Sequence, residues 1–317
     1  MTGQGIFDPQ GVFVKLRRSL TIGSLVASLL LLFSCGGGDG GASSTTTPPA
    51  TGSESPSPTP EGAPVTIAVN QSFWFAGFRV TVGSATFDPA PDGGSPQVTI
   101  DATYENQGTD PAIFDGTLSL AAGGSFFEPG IGLEIPNVPG LSTGAGTIPF
   151  AVDESFSFDD AVLTIGLAEN NQAVIPLGGT GEAVTLEPTT LLVTGTASGG
   201  EVTVEVQGGE LRADVPEEHS EIAKGHLALT LDFAATYTGD FAGGYAFAYS
   251  GNLALRLPDG TTVAPDEGPI ELLRAGTTLP DVSVRFTVND PPAGTYALVV
   301  IDTVMEDARG ELEFEIA

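Results

Sequence analysis

From Val65 onward, apolar and polar positions alternate with a period of two. Phe78-Arg79-Val80-Thr81-Val82 does so, and Val98-Thr99-Ile100-Asp101-Ala102-Thr103-Tyr104 does so again. In an extended strand, successive side chains point to opposite faces, so each run predicts one buried and one wet face. Further strands are predicted over Thr117–Ala121, Thr147–Val152 and Ala161–Gly166. Turn-forming clusters separate them: Pro89–Gly94, Asn106-Gln107-Gly108, Gly123-Gly124 and Asp159-Asp160. No window holds a 3.6-residue apolar period with caps at its ends. Many short strands with frequent turns predict an all-β fold of sandwich or barrel type. Trp74 falls upstream of the first clear alternation, which leaves its role open.

The pattern then repeats. Val204–Leu211 echoes Val80–Phe87, and Leu229–Tyr237 echoes the run ending in Ala102-Thr103-Tyr104. Asn252–Leu255, Val284–Val288 and Tyr296–Val300 echo Thr117–Leu120, Ile148–Val152 and Ala161–Ile165. The offsets are 124 (206 − 82) and 133 (237 − 104), then 135, 136 and 135 (253 − 118, 286 − 150, 298 − 163). Five matches in order predict a duplicated β-domain with one insertion of about nine residues in the second copy.

Ahead of the strands lie two stretches of different character. Lys15, Arg17 and Arg18 precede an apolar run over Leu20–Phe33, then Ser34 and the single cysteine, Cys35. A positive region, an apolar region and a small residue before the cut is the order of a secretory signal peptide. The run is shorter than the roughly 20 residues that span a bilayer. Leu32-Phe33-Ser34-Cys35 resembles a bacterial lipobox, with cleavage after Ser34 and lipid on Cys35. Residues 36–64 are Gly-, Ser-, Thr- and Pro-rich and cannot repay their ordering entropy, so they read as a disordered tether. The domain reading is therefore leader 1–34, lipidated Cys35 and tether 35–64, first sandwich 65–179 and second sandwich 180–317. The expected location is the outer side of the cytoplasmic membrane, or the outer membrane in a two-membrane cell.

Composition narrows the function classes. Formal charge is −30, which argues against nucleic acid, whose phosphates demand clustered Lys and Arg. The expected partners are the membrane, through the lipid anchor, and an envelope protein or glycan. A lone cysteine allows no disulfide within the chain, so stability rests on buried apolar side chains.

Each half resembles the immunoglobulin-like, telokin-like domain of unknown function found in bacterial lipoproteins. The residues that carry this are Phe78–Phe87, the strand into Tyr104-Glu105-Asn106, and the late strands around Phe150-Ala151-Val152. Leu257–Thr261 followed by Val284–Val288 fits the same order in the second half. The resemblance covers 65–178 and about 189–317. It implies β-sandwiches on a lipid anchor with no established activity. Neither half has the paired cysteines of antibody domains.

Candidate chemistry is sparse. Gly140-Leu141-Ser142-Thr143-Gly144 matches the nucleophile elbow G-x-S-x-G, but the chain runs from it into a strand and the first half has no histidine. His219 and His226, with Glu217, Glu218 and Glu221, form a zinc candidate whose spacing fits no standard site, and Lys224 lies among them. Asp159-Asp160, Asp259 with Asp266-Glu267, and Asp302 with Glu306-Asp307 are calcium candidates that double as turn formers. No cofactor is expected, no metal site is assigned, and catalysis is not expected. The most distinctive stretch is Phe241–Tyr249. As one strand it puts Tyr245, Phe247 and Tyr249 on one face, which serves either as core or as a platform for a ligand. The expected function is a lipid-anchored binding or adhesion module. A structural spacer or a calcium-dependent binding protein are the alternatives.

Overall fold

The computed structural model describes residues 62–179, 181–305 and 308–317. The fold is all-β, as the alternation predicts. Helical turns among the described residues are confined to Pro91–Gly93, Pro216–Glu218 and Tyr249–Asn252.

In the first half, strands Val65–Phe75, Phe78–Asp88, Gln97–Asn106 and Thr143–Ala151 hydrogen-bond in that order into one antiparallel sheet. Ala173–Pro176, Val162–Ile165, Leu118–Ala122 and Ser125–Phe127 form another. Trp74 lies inside Val65–Phe75, with the Arg79 guanidinium 5.5 Å over its ring. The sequence pattern had left it outside, because the strand's early residues are exposed and do not alternate cleanly.

The second half uses the same order. Val202–Arg212, His226–Tyr237 and Thr278–Asn289 pair in sequence, with Thr189–Leu191 and Gly195–Gly199 sharing the outer edge. Arg309–Ile316, Gly294–Ile301, Leu253–Arg256 and Thr262–Val263 form the companion sheet. Each half has its own apolar cluster: Phe73, Phe78, Tyr104, Phe114 and Phe150 in one, Phe233, Phe247, Phe286 and Tyr296 in the other. Removing each such side chain from water contributes about 1.5–3 kcal/mol.

Strand register matches pair for pair. Val80 faces Tyr104 as Val204 faces Ala235, and Phe87 faces Val98 as Leu211 faces Leu229. Ile100 faces Ile148 as Leu231 faces Val284, and Leu120 faces Leu163 as Leu255 faces Leu298. Even the irregularity recurs, at Val82/Ser84 and at Val206/Gly208. These pairings correct one offset. The counterpart of Tyr104 is Ala235, not Tyr237, so the second offset is 131 (235 − 104) and the insertion is seven residues (131 − 124). A slip of one residue would turn every side chain to the wrong face, but a slip of two is invisible to a pattern of period two.

The insertion is one link between the halves, beside the bonds of Gln71 to the Gly181 carbonyl and of the Trp74 N–H to Thr185 Oγ1. It falls between Val202–Arg212 and His226–Tyr237 and forms the small hairpin Asp214–Val215/Ser220–Glu221. That hairpin packs on the first half. Asp214 Oδ2 accepts the Gly77 N–H at 2.6 Å, and Glu221 Oε1 accepts the Ala76 N–H at 2.5 Å. Glu217 Oε2 accepts the Thr109 hydroxyl at 2.6 Å. Asn171 reaches back to the carbonyls of Ile222 and His226 and accepts the Gly225 N–H. Two glycines make the approach possible. A Cβ on Gly108 would lie 2.5 Å from the Pro216 carbonyl oxygen, and one on Gly77 (φ +75°) would lie 2.8 Å from Pro216 Cα.

Candidate functional site

The hairpin also closes one end of a groove of about 710 Å³. Its floor is the outer, wet face of the second half's sheet: Glu210 and Arg212 on one strand, Ala228, Thr230 and Asp232 on the next, and Asp281, Ser283 and Arg285 on the third. The repeated register irregularity sets this face, because it shifts the alternation so that Glu210 and Arg212 point away from the core while Leu211 packs toward it. Asp214 and Glu217 come from the hairpin, and Glu267, Gly268 and Pro269 from the segment that runs along the Thr278–Asn289 edge.

Both arginines are neutralised. Arg212 is buried; its Nε donates to Asp214 Oδ1 at 2.8 Å and its Nη1 to Glu210 at 3.3 Å. Burial works against its charge, but the Asp214 and Glu210 carboxylates outweigh this and leave its pKa raised. Arg285 bridges Glu218 at 2.8 Å and Glu267 at 3.1 Å. Asp232 and Asp281 are exposed and have no salt-bridge partner among the described residues. The groove therefore presents uncompensated negative charge at Asp232 and Asp281.

Glu221 sits behind this wall. Burial pushes its carboxyl up to about 8; the Ala76 N–H and Arg212 pull the other way, and the Asp214 carboxylate adds to the rise. Its Oε2 is buried without a partner among the described residues.

The residues singled out in the sequence fall in several places. Cys35 and Ser34 lie outside the described residues. Tyr245 and Phe247 are buried in the second core, 4% and 1% exposed. Tyr245 stacks on Tyr237, and its hydroxyl accepts from Asn252 Nδ2 at 2.6 Å. Tyr249 does not share their strand. The strand ends at Ala248, where Asn252 Oδ1 takes the backbone N–H, and Tyr249 opens a helical turn. A period-two pattern cannot foresee that stop, because it is imposed by a side chain three residues past Tyr249. The exposed side of the strand carries Ala246 instead.

The zinc candidates are used structurally. Asn106 Nδ2 donates to the carbonyls of Asp110 and Val138, so its Oδ1 faces His219 Nε2 at 3.0 Å, and the ring carries its proton on that nitrogen. His226 Nδ1 lies 3.3 Å from the Lys224 carbonyl. Among the described residues no three His, Cys, Asp or Glu side chains gather to hold a metal ion. Ser142 Oγ donates to the Gly140 carbonyl. The calcium candidates bond to the chain itself: Asp259 accepts from Thr261 and buried Asp302 from Val304 and Met305 within turns, while Asp266 accepts the distant Thr287 N–H and Asp302 the distant Glu201 N–H. Burial favours the neutral form of Asp302, but those N–H groups win and lower its pKa. Glu306 and Asp307 lie outside the described residues. Among the described residues no helix is long and apolar enough to cross a membrane.

The sequence reading missed the groove and one further feature. Tyr296, near the start of Gly294–Ile301, donates its hydroxyl to the Pro292 carbonyl four residues upstream at 2.7 Å. The run Asp290-Pro291-Pro292-Ala293-Gly294-Thr295-Tyr296 was the available signal.

No protein-family model matches the chain, and no curated protein matches it. Among solved structures it is similar to one described as the crystal structure of the conserved domain protein from Bacillus anthracis, at 9% identity, over 79% of this chain and 90% of that one. The TM-score is 0.23, too low to bear on fold or function.

Proposed function

We propose that this chain is an exported lipoprotein, anchored through Cys35, whose two tandem immunoglobulin-like sandwiches act by binding and not by catalysis. Strand order supports the immunoglobulin-like part. With Phe78–Asp88 as strand A, the sheets read A-B-E and G-F-C-C′, plus one extra strand ahead of A. The Tyr296–Pro292 bond supports it too, since it has the form of a tyrosine corner at the start of strand F. The observation that carries the binding reading is the groove. It is a formed concavity within the usual size range of ligand sites, and its exposed carboxylates are not spent on the fold. By contrast, His219, Ser142 and Asp302 each have a structural partner.

Metabolic labelling with radioactive palmitate tests the anchor. The wild type is expected to take up label and sediment with membranes, and Cys35→Ala to take up none. Absence of label from the wild type, or equal label in Cys35→Ala, would overturn the reading. The alternative of a spacer draws on the hairpin, which locks the halves together as a spacer would need.

A further inference from the structure

Beside the groove lies an exposed apolar ribbon. Strands Tyr245–Ala248 and Ile270–Leu273 pair with each other and with no other named strand, Ala246 opposite Leu272 and Ala248 opposite Ile270. Their inner residues Tyr245, Phe247 and Leu273 belong to the core. The outer side is the reverse of the face the aromatic pattern singled out. Ile270 is 72% exposed and Leu272 58%, and Phe241, three residues before Gly244, is 67% exposed. Gly244 brings the two together: its N–H donates to the Phe241 carbonyl, and a Cβ there would touch Leu272 Cδ1 at 3.3 Å.

This ribbon is continuous with the groove. Glu267, Gly268 and Pro269 line the groove, and the next residue is Ile270. One surface thus carries free carboxylates at one end and large aliphatic side chains at the other. Neither half of it is explained by the fold. Asp232 and Asp281 make no ion pair among the described residues. Exposed aliphatic side chains grouped in this way mark an interaction surface. A second copy of the chain would bring a like-charged groove against this one, at a formal −30 per chain. A nucleic acid or an anionic lipid surface is repelled by the same field.

We infer that the groove and the ribbon together dock an extended polypeptide segment that is both basic and apolar, with Lys or Arg over Asp232 and Asp281 and aliphatic side chains on Ile270 and Leu272. The inference rests on the binding reading above but not on the lipid anchor. Partner charge complements the carboxylates and steers encounter, and aliphatic contact supplies the dehydrated area. The short exposed edge of Ile270–Leu273 offers backbone groups to such a segment.

The test uses the full chain carrying Cys35→Ala, which retains every described residue and removes the lipid. Fluorescence anisotropy follows a labelled peptide of alternating Lys and Leu, and a second of alternating Glu and Leu. The Lys peptide is expected to bind, more weakly as salt rises, and the Glu peptide not to bind. Asp232→Asn with Asp281→Asn is expected to weaken binding about tenfold or more. Ile270→Ser with Leu272→Ser is expected to do the same at unchanged far-UV circular dichroism. Asp101→Asn with Glu134→Gln, on the first half's smaller groove, is expected to leave it unchanged. Equal loss from the first-half pair would mean attraction to an acidic chain in general and would overturn the inference, as would no binding. A free chain that sediments as a dimer, made monomeric by Leu272→Ser, would assign the surface to a second copy and also overturn it.

Discussion

Asp101 and Asp232 occupy the same place in two copies of one strand pairing, yet their surroundings differ. Asp101 accepts the Ser84 hydroxyl at 2.6 Å on an open face whose concavity is about 380 Å³. Asp232 has Gly208 as its partner in place of Ser84, and lies in a groove nearly twice that volume. The position of Asp281 is held by Ala145 in the first half, at an offset of 136 (281 − 145). The first half's loop between its second and third strands is short, whereas the second half's is a hairpin that walls the groove and grips its neighbour. One scaffold thus carries two surfaces. Pairing partners that hold the sheet are kept in register, while outward positions and loops are free to differ, which is where function is mounted on a fold.

The contrast can be broken most strongly at Asp214. Asp214→Ala leaves buried Arg212 with only its longer contact to Glu210 and strips the Gly77 N–H of its acceptor, at a cost of roughly 3–5 kcal/mol. Because Trp74 is the only tryptophan and lies in the first half, its fluorescence is expected to report a transition separate from the whole-chain circular dichroism signal. Coincident transitions in the variant would show that the hairpin does not couple the halves. Gly108→Ala forces a methyl into the Pro216 carbonyl and is expected to lower stability by about 1–3 kcal/mol, read as a lower denaturation midpoint.

Glu221 sharpens the comparison through pH. Its carboxyl keeps a proton in the folded chain up to about pH 8, while the unfolded chain releases it near 4.5. Its contribution to stability is therefore full below about 4.5 and is lost as pH rises through about 8, at no more than about 1.4 kcal/mol per pH unit. Glu221→Gln keeps an acceptor for the Ala76 N–H and has no proton to lose. Melting temperatures between pH 4.5 and 8.5 are expected to fall for the wild type and flatten for the variant; parallel curves would remove Glu221 from the account. The smallest effect is expected at Tyr296→Phe, which loses one hydrogen bond to Pro292 and about 1 kcal/mol in chemical denaturation. The corresponding first-half position is Ala161, at an offset of 135 (296 − 161), which has no such bond to lose.

Much of the fold was legible because period two is a local property. The alternation from Phe78 to Val82 and from Val98 to Tyr104 named strands, and the near-constant offset after the insertion named the repeat. The same period hid the two-residue slip between Tyr104 and Tyr237, which only the cross-strand partners resolve. The aromatic stretch Phe241–Tyr249 stands out in the sequence, yet the exposed side beside it is set by Ile270 and Leu272, more than twenty residues away. The His219 segment read as a metal candidate because its donors are adjacent in sequence. Its partners, Asn106, Gly77 and Ala76, lie over a hundred residues upstream. By itself the sequence determined where the main strands run, that their pattern comes twice, and that the chain is acidic, since each follows from neighbours along the chain. Only the tertiary structure decided which polar faces converge into a groove and which carboxylates are left unpaired there, because charge pairing and concavity depend on distances that chain separation does not encode.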